Sequence, residues 1–133
     1  IDSCIRQLID KYNRLKDEHY RDQELLQLTS ADLRAMHVIG ISRRERMTNL
    51  AKHLRLTVGT LTTTIDRLVA KGYVHRHRRE DDRRVVEVSL SQQGREVFEE
   101  MENRKRLLAE RLFGKLTQEE RRILKELLLK LVR

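Results

Sequence analysis

The sequence predicts a mainly α fold carrying one small β-wing. Three features predict it. Apolar residues recur at three- and four-residue steps along most of the 133 residues. That period switches to two at 73–78 and 86–90, the mark of paired strands. Proline is absent, so no helix is kinked or broken by one.

Residues 1–27 read as a helix with Ile1, Cys4, Ile5, Leu8, Ile9, Tyr12 and Leu15 on one stripe. Thr29 or Ser30 can cap a second helix, with Asp32 in its first turn. It runs through Leu33, Met36, His37 and Ile39 and is expected to stop at Gly40. Residues 41–47 read as a polar, basic connector. Thr48 reads as the N-cap of a short helix buried through Leu50, Ala51 and Leu54. After a turn at Arg55-Leu56, Thr57 caps a further helix with Leu61, Ile65, Leu68 and Val69 spaced for burial, and Gly72 ends it. Two short helices joined by a tight turn form a helix-turn-helix pattern.

Alternation follows over Tyr73 to Arg78 and again at Val86, Val88 and Leu90, around a charged tip at 79–84. These two strands make a wing directly after the helix pair, so a winged helix-turn-helix is expected over 28–90. Ser91 opens a long helix with Val97, Phe98, Met101, Leu108 and Leu112 along it, and Gly114 breaks it. Thr117 to Glu120 is a capping box for a last helix bearing Ile123, Leu124, Leu127, Leu128 and Leu131. Residues 1–27 and 91–133 are thus expected to form a helical dimerisation region. Ile5, Leu8, Ile9 and Tyr12 at one end and the leucine-rich last helix at the other are more apolar surface than one small domain readily hides.

Composition narrows the function. Charged residues make up 38% of the chain and no run of 18 apolar residues occurs, so no membrane helix is expected. The first residues lack a signal-peptide pattern, and the single cysteine, Cys4, excludes an internal disulfide; a cytoplasmic location is expected. Ile1 is not an initiator residue, so a few residues are expected to precede it. The net charge is +8, and its placement matters more than its size. Between Arg43 and Arg84 there are 12 Lys/Arg against 5 Asp/Glu, whereas the other 91 residues hold 17 against 16. A basic surface confined to one third of the chain suits a polyanion, because each neutralised phosphate releases counterions. There is no Gly-rich phosphate loop, nucleophile elbow or metalloprotease motif, and Glu99-Glu100 and Glu119-Glu120 point apart on helices, so no enzyme and no cofactor are expected.

Within that basic third, Thr57, Gly59, Thr60, Thr62, Thr63 and Thr64 line one helix, with Arg67 a turn later. So many β-branched residues weaken a helix, which suggests that they serve a ligand: threonine hydroxyls can bond bases or phosphates, and their methyls can meet thymine. Gly59 lets the helix end approach a backbone closely. Arg76, Arg78, Arg79, Arg83 and Arg84 sit on the wing, with Asp82 placed to orient them. Arginines on a hairpin tip suit a narrow minor groove. Thr48 completes the expected DNA-binding set.

The spacing Asp82-x-Arg84-x-x-x-Val88-x-Leu90-Ser91-x-x-Gly94 resembles the wing signature of the MarR family of winged-helix regulators. Leu50-Ala51-Lys52-His53-Leu54 and Leu68-Val69-Ala70-Lys71-Gly72-Tyr73 are similar to its helix-turn-helix. The resemblance implies a homodimer on pseudo-palindromic double-stranded DNA, most simply a repressor, with Arg84 as the wing-tip contact and Asp82 its positioning partner. Val38-Ile39-Gly40, Thr57 to Thr63, Lys71-Gly72-Tyr73 and Asp82 to Val86 look like the FabT branch. That likeness implies control of fatty-acid-synthesis genes with acyl-acyl-carrier-protein as effector.

Other regulators of this type resemble metal, redox or small-molecule sensors of efflux and stress genes. His75 and His77 share a strand face, but no acidic or cysteine partner sits at ligand spacing, so no metal site is assigned. Cys4 lies on an apolar stripe, where a thiol is usually inert. An effector pocket is expected where the first, second and fifth helices meet, with Met36 and His37 as its candidate lining.

Overall fold

The computed structural model describes the backbone of residues 1–133 and the side chains of all of them except 19–26. The chain forms two compact units, one of residues 1–22 and 103–133, the other of residues 23–102. Its helices are α1 (Asp2–Leu26), α2 (Ser30–Ser42), α3 (Met47–Leu54), α4 (Val58–Ala70), α5 (Gln92–Phe113) and α6 (Gln118–Val132). Its strands are β1 (Arg44–Arg46), β2 (Val74–Arg78) and β3 (Val86–Leu90). The fold is thus mainly α with a small β-wing.

The 23–102 unit is built around one apolar core. Met36, Ile39, Leu50, Leu61, Ile65, Leu68 and Val88 are wholly buried, and Val74 nearly so. Burial of each such side chain contributes about 1.5–3 kcal/mol. Val97, Phe98 and Met101 of α5 pack against the same core. This is why the unit runs on to Glu102 rather than ending with the wing.

Local signals explain most boundaries. Thr29 caps α2, accepting from the Asp32 amide at 3.1 Å while the Asp32 carboxylate accepts from the Thr29 amide at 3.0 Å. Thr117 and Glu120 make the same exchange at α6. Gly72, at φ +83°, ends α4 as its αL residue, with the Tyr73 amide returning to Leu68 O at 2.9 Å.

Three expectations need correction. First, α2 does not stop at Gly40 but passes through it to Ser42. A Cβ at Gly40 would fall inside the Phe98 ring, so this glycine serves close helix packing. Second, Thr48 is not the N-cap of α3. The extended residue before the helix is Arg46, which makes no side-chain cap, and Thr48 lies in the first turn. The helix starts earlier because buried Met47 shares the inner face with Leu50, Ala51 and Leu54. Third, the 41–47 connector contains β1, so the wing sheet has three antiparallel strands in the order β1-β3-β2.

In that sheet Arg44 faces Ser89 and Arg46 faces Glu87, while Val74 faces Leu90, Arg76 faces Val88 and Arg78 faces Val86. Directly opposed residues share a face, so Arg76 and Arg78 lie on the side of the buried Val74 and Val88. His75 and His77 lie on the other.

In the unit of 1–22 and 103–133, the apolar stripes stand open. Ile5, Leu8, Ile9, Tyr12, Ile123, Leu127, Leu128 and Leu131 are all exposed, Leu131 by 80%. Leu124 and Leu128 line an apolar cleft of about 280 Å³ with Ala109, Phe113 and Val132.

Candidate nucleic-acid interface

The outward face of α4 is set by its inner one. Leu61, Thr64, Ile65 and Leu68 face the core. The residues between them turn outwards, and Gly59, Thr60 and Thr63 are exposed with Thr62 half-buried. Thr57 caps the helix, accepting from the Thr60 amide at 3.1 Å, and its hydroxyl donates to Thr60 Oγ1 at 2.9 Å. Thr62 Oγ1 donates to Val58 O at 2.7 Å and Thr63 Oγ1 to Gly59 O at 3.4 Å. With these protons turned back onto the helix, the two hydroxyls present acceptor lone pairs outwards beside their methyls. A Cβ on Gly59 would meet nothing within 4 Å, so packing within the chain does not require a glycine there.

Two residues expected on this face are elsewhere. Thr64 is only 5% exposed, on the core side next to Ile65, and cannot reach a base. Arg67 turns towards the start of α2, where Nη2 donates to Oδ1 of wholly buried Asp32 at 2.8 Å. Burial alone would raise the Asp32 carboxyl; hydrogen bonds from Arg67 and Thr29 outweigh it and hold the group below the usual carboxylate range.

The wing tip is shaped by its own ion pairs. Arg79 is held by Asp81 through Nε at 2.9 Å and Nη2 at 2.5 Å, which lowers the Asp81 carboxyl and commits that guanidinium locally. Arg78 Nη1 donates to Arg83 O at 3.1 Å and fixes the turn. Asp82 accepts from the amide and Nε of Arg84, both at 3.1 Å, and these bonds lower its carboxyl. The Arg84 side chain is nevertheless 92% exposed. Asp82 therefore aims Arg84 outward without covering it.

A groove of about 340 Å³ joins the two elements. Arg46, Thr48, Thr62, Arg76, Arg78 and Arg84 line it, over apolar flanks from Met47, Val58 and Val86. Residues from β1, α3, α4 and the wing thus meet on one side of the unit. Arg46 is absent from the expected set, since nothing in Arg44-Glu45-Arg46 marks a strand until β3 pairs with it. Asp66, also unforeseen, accepts from Nη2 of Arg76.

The effector candidates separate. Met36 is wholly buried in the core. His37 is half-buried, with Nδ1 3.0 Å from Glu102 Oε1 and its ring 6.1 Å from that of Phe98. His77 Nε2 lies 3.1 Å from Ser89 Oγ, and among the described residues no three His, Cys, Asp or Glu side chains converge as metal ligands. Cys4 is exposed rather than packed.

The model of the MarR family matches residues 28–86. That segment, a little under half of the chain, is similar to the MarR family. The HTH-type transcriptional regulator YwhA of Bacillus subtilis is 31% identical over 83 residues, covering 62% of this chain and 60% of that protein. Such alignments span less than two thirds of the length of the curated relatives. Over the fold, wild-type MarR from E. coli in its apo form is similar at 29% identity and TM-score 0.73, covering 100% of this chain and 96% of that one. FabT of Streptococcus pneumoniae, solved in complex with DNA, gives 25% identity and TM-score 0.82, covering 99% and 92%. The MarR-family match ends at the start of β3. Beyond it, Ser91 closes the wing against α4: its hydroxyl donates to Gly72 O at 2.5 Å and accepts from the Gly94 amide at 3.0 Å.

Proposed function

We propose that this chain is a MarR-family, sequence-specific, double-stranded-DNA-binding transcriptional regulator that acts as a homodimer. The observation that carries the reading is the basic groove between α4 and the wing, which puts Thr48 and Thr62 beside Arg46, Arg76, Arg78 and Arg84. In this reading α4 enters a major groove with Gly59, Thr62 and Thr63 leading. Arg84 enters the neighbouring minor groove, and the strand between the two lies along the arginines. The exposed leucines of α6 and the stripe of α1 are covered by the second copy, which sets two half-sites about one helical turn apart.

Repression is the simplest output, by occlusion of a promoter. The likeness to FabT, solved in complex with DNA, supports the resemblance that implies fatty-acid-synthesis promoters as targets.

The test is anisotropy of labelled duplexes across a salt series, with sedimentation at micromolar concentration. Binding that weakens steeply with salt and a particle of twice the 15.9 kDa chain mass are expected. Salt-insensitive binding or a monomer at that concentration rejects the reading. Sequencing DNA fragments that co-purify with the protein tests the promoter class.

A further inference from the structure

We propose that Asp66 is a specificity-determining residue, which withholds Arg76 from sequence-independent phosphate binding. The proposal rests on the DNA-binding reading above.

Asp66 is the only acidic residue of α4, and one of two among residues 43–78, the other being Glu45. Helical geometry puts it on the outward face, 100° per residue from the buried Ile65 and on the side of Thr62 and Thr63. Its side chain is 57% exposed. A carboxylate here faces the same polyanion as the arginines and is repelled by it. A stabilising role explains little, because an ion pair this exposed contributes at most about 1 kcal/mol to folding.

What Asp66 does contact is Arg76 Nη2, across from α4 to β2. Strand pairing allows it: Arg76 opposes buried Val88 and so lies on the face of the sheet that meets α4. Arg76 also lines the groove. With its charge matched by Asp66, it adds little to a loose, charge-driven complex on arbitrary sequence. Arg46, Arg78 and Arg84 are left as the groove's remaining arginines. Discrimination between partners is a difference of affinities, and a built-in cost against the wrong complex raises it. The pair trades general affinity for selectivity on the very helix that reads bases.

The experiment compares Asp66→Asn, Asp66→Ser, Arg76→Gln and Asp66→Asn/Arg76→Gln with wild type. Thermal unfolding confirms that each is folded. Two probes are used: a random-sequence duplex, and a duplex enriched from a random pool by binding to the wild-type protein. Release of one guanidinium steepens the slope of log affinity against log salt by about 0.9 on the random duplex and tightens binding about threefold or more at moderate salt. The gain is expected to be larger on the random duplex than on the enriched one. It should appear with Asn and Ser alike, and the added slope should be absent when Arg76 is already Gln. An unchanged slope in Asp66→Asn and Asp66→Ser overturns the proposal, as does equal steepening in the Arg76→Gln background, which would mean bulk charge alone. Equal gains on both duplexes overturn the specificity role. If wild type binds no duplex, the DNA-binding reading itself falls, and this proposal with it.

Discussion

Arg67 on α4 donates to the wholly buried carboxylate of Asp32 on α2 at 2.8 Å. The arginine that the sequence reading placed on the DNA side thus ties α4 to the first turn of its neighbour. Asp32 is doubly committed, because its other oxygen accepts from the Thr29 amide. Arg67→Ala should therefore cost more than a surface pair does. About 2–3 kcal/mol is expected, the low end for a broken buried pair because Arg67 is 45% exposed. Urea unfolding at neutral pH measures it.

The same carboxylate sets an acid limit. Its value in the fold is lowered, so its contribution is fully present above the ordinary value of 3.8 and is lost as pH falls through the lower folded value. Wild type should lose stability below about pH 4 more steeply than Asp32→Asn, in which that proton is not exchanged. Parallel curves of stability against pH for the two proteins would remove Asp32 from this role.

Arg84 is aimed by Asp82 but projects into solvent. Arg84→Ala should leave the thermal midpoint within about 1 °C, since an exposed arginine contributes little to folding. Duplex affinity at moderate salt should drop by about tenfold. Unchanged affinity would show that the wing does not touch DNA.

Gly59 separates folding from binding. Alanine there meets no atom of the chain and should stabilise α4 by about 0.5–1 kcal/mol. If the helix end approaches DNA closely, the added methyl weakens binding while the protein grows more stable. Tighter or equal binding would make this glycine incidental.

The threonines test which face of α4 reads bases. Thr62→Val and Thr63→Val remove outward hydroxyls and should narrow the affinity gap between enriched and random duplexes. Thr64→Val, on the core side at 5% exposure, should change neither affinity. Thr64→Val behaving like the other two would invert the assignment of faces.

Gly94 tests the close approach of α5 to the backbone at the start of the wing. A Cβ there would overlap the Tyr73 carbonyl oxygen, and that backbone cannot swing aside as a side chain can. Gly94→Ala should destabilise the protein by about 1–3 kcal/mol, measured by chemical unfolding.

Features that neighbouring residues settle among themselves could be read before any folding was known. Periodicity placed the helices, the Thr57 and Thr117 caps declared two of their starts, Gly72 declared one end, and the alternation around an all-charged tip declared the hairpin. The charge concentrated between Arg43 and Arg84 pointed to a polyanion as the partner. Features that depend on distant residues emerged from packing. β1 exists because β3 supplies its hydrogen bonds, and Gly40 is a packing contact because Phe98 lies over it; the burial of Thr64, by contrast, follows from its place three residues after Leu61 and four before Leu68. Asp32 and Asp66 are 34 residues apart in sequence, yet each takes an arginine on another element: Arg67 goes inward and Arg76 is held beside the groove. A charge shows in the sequence, but its partner is fixed by where packing brings the chains together.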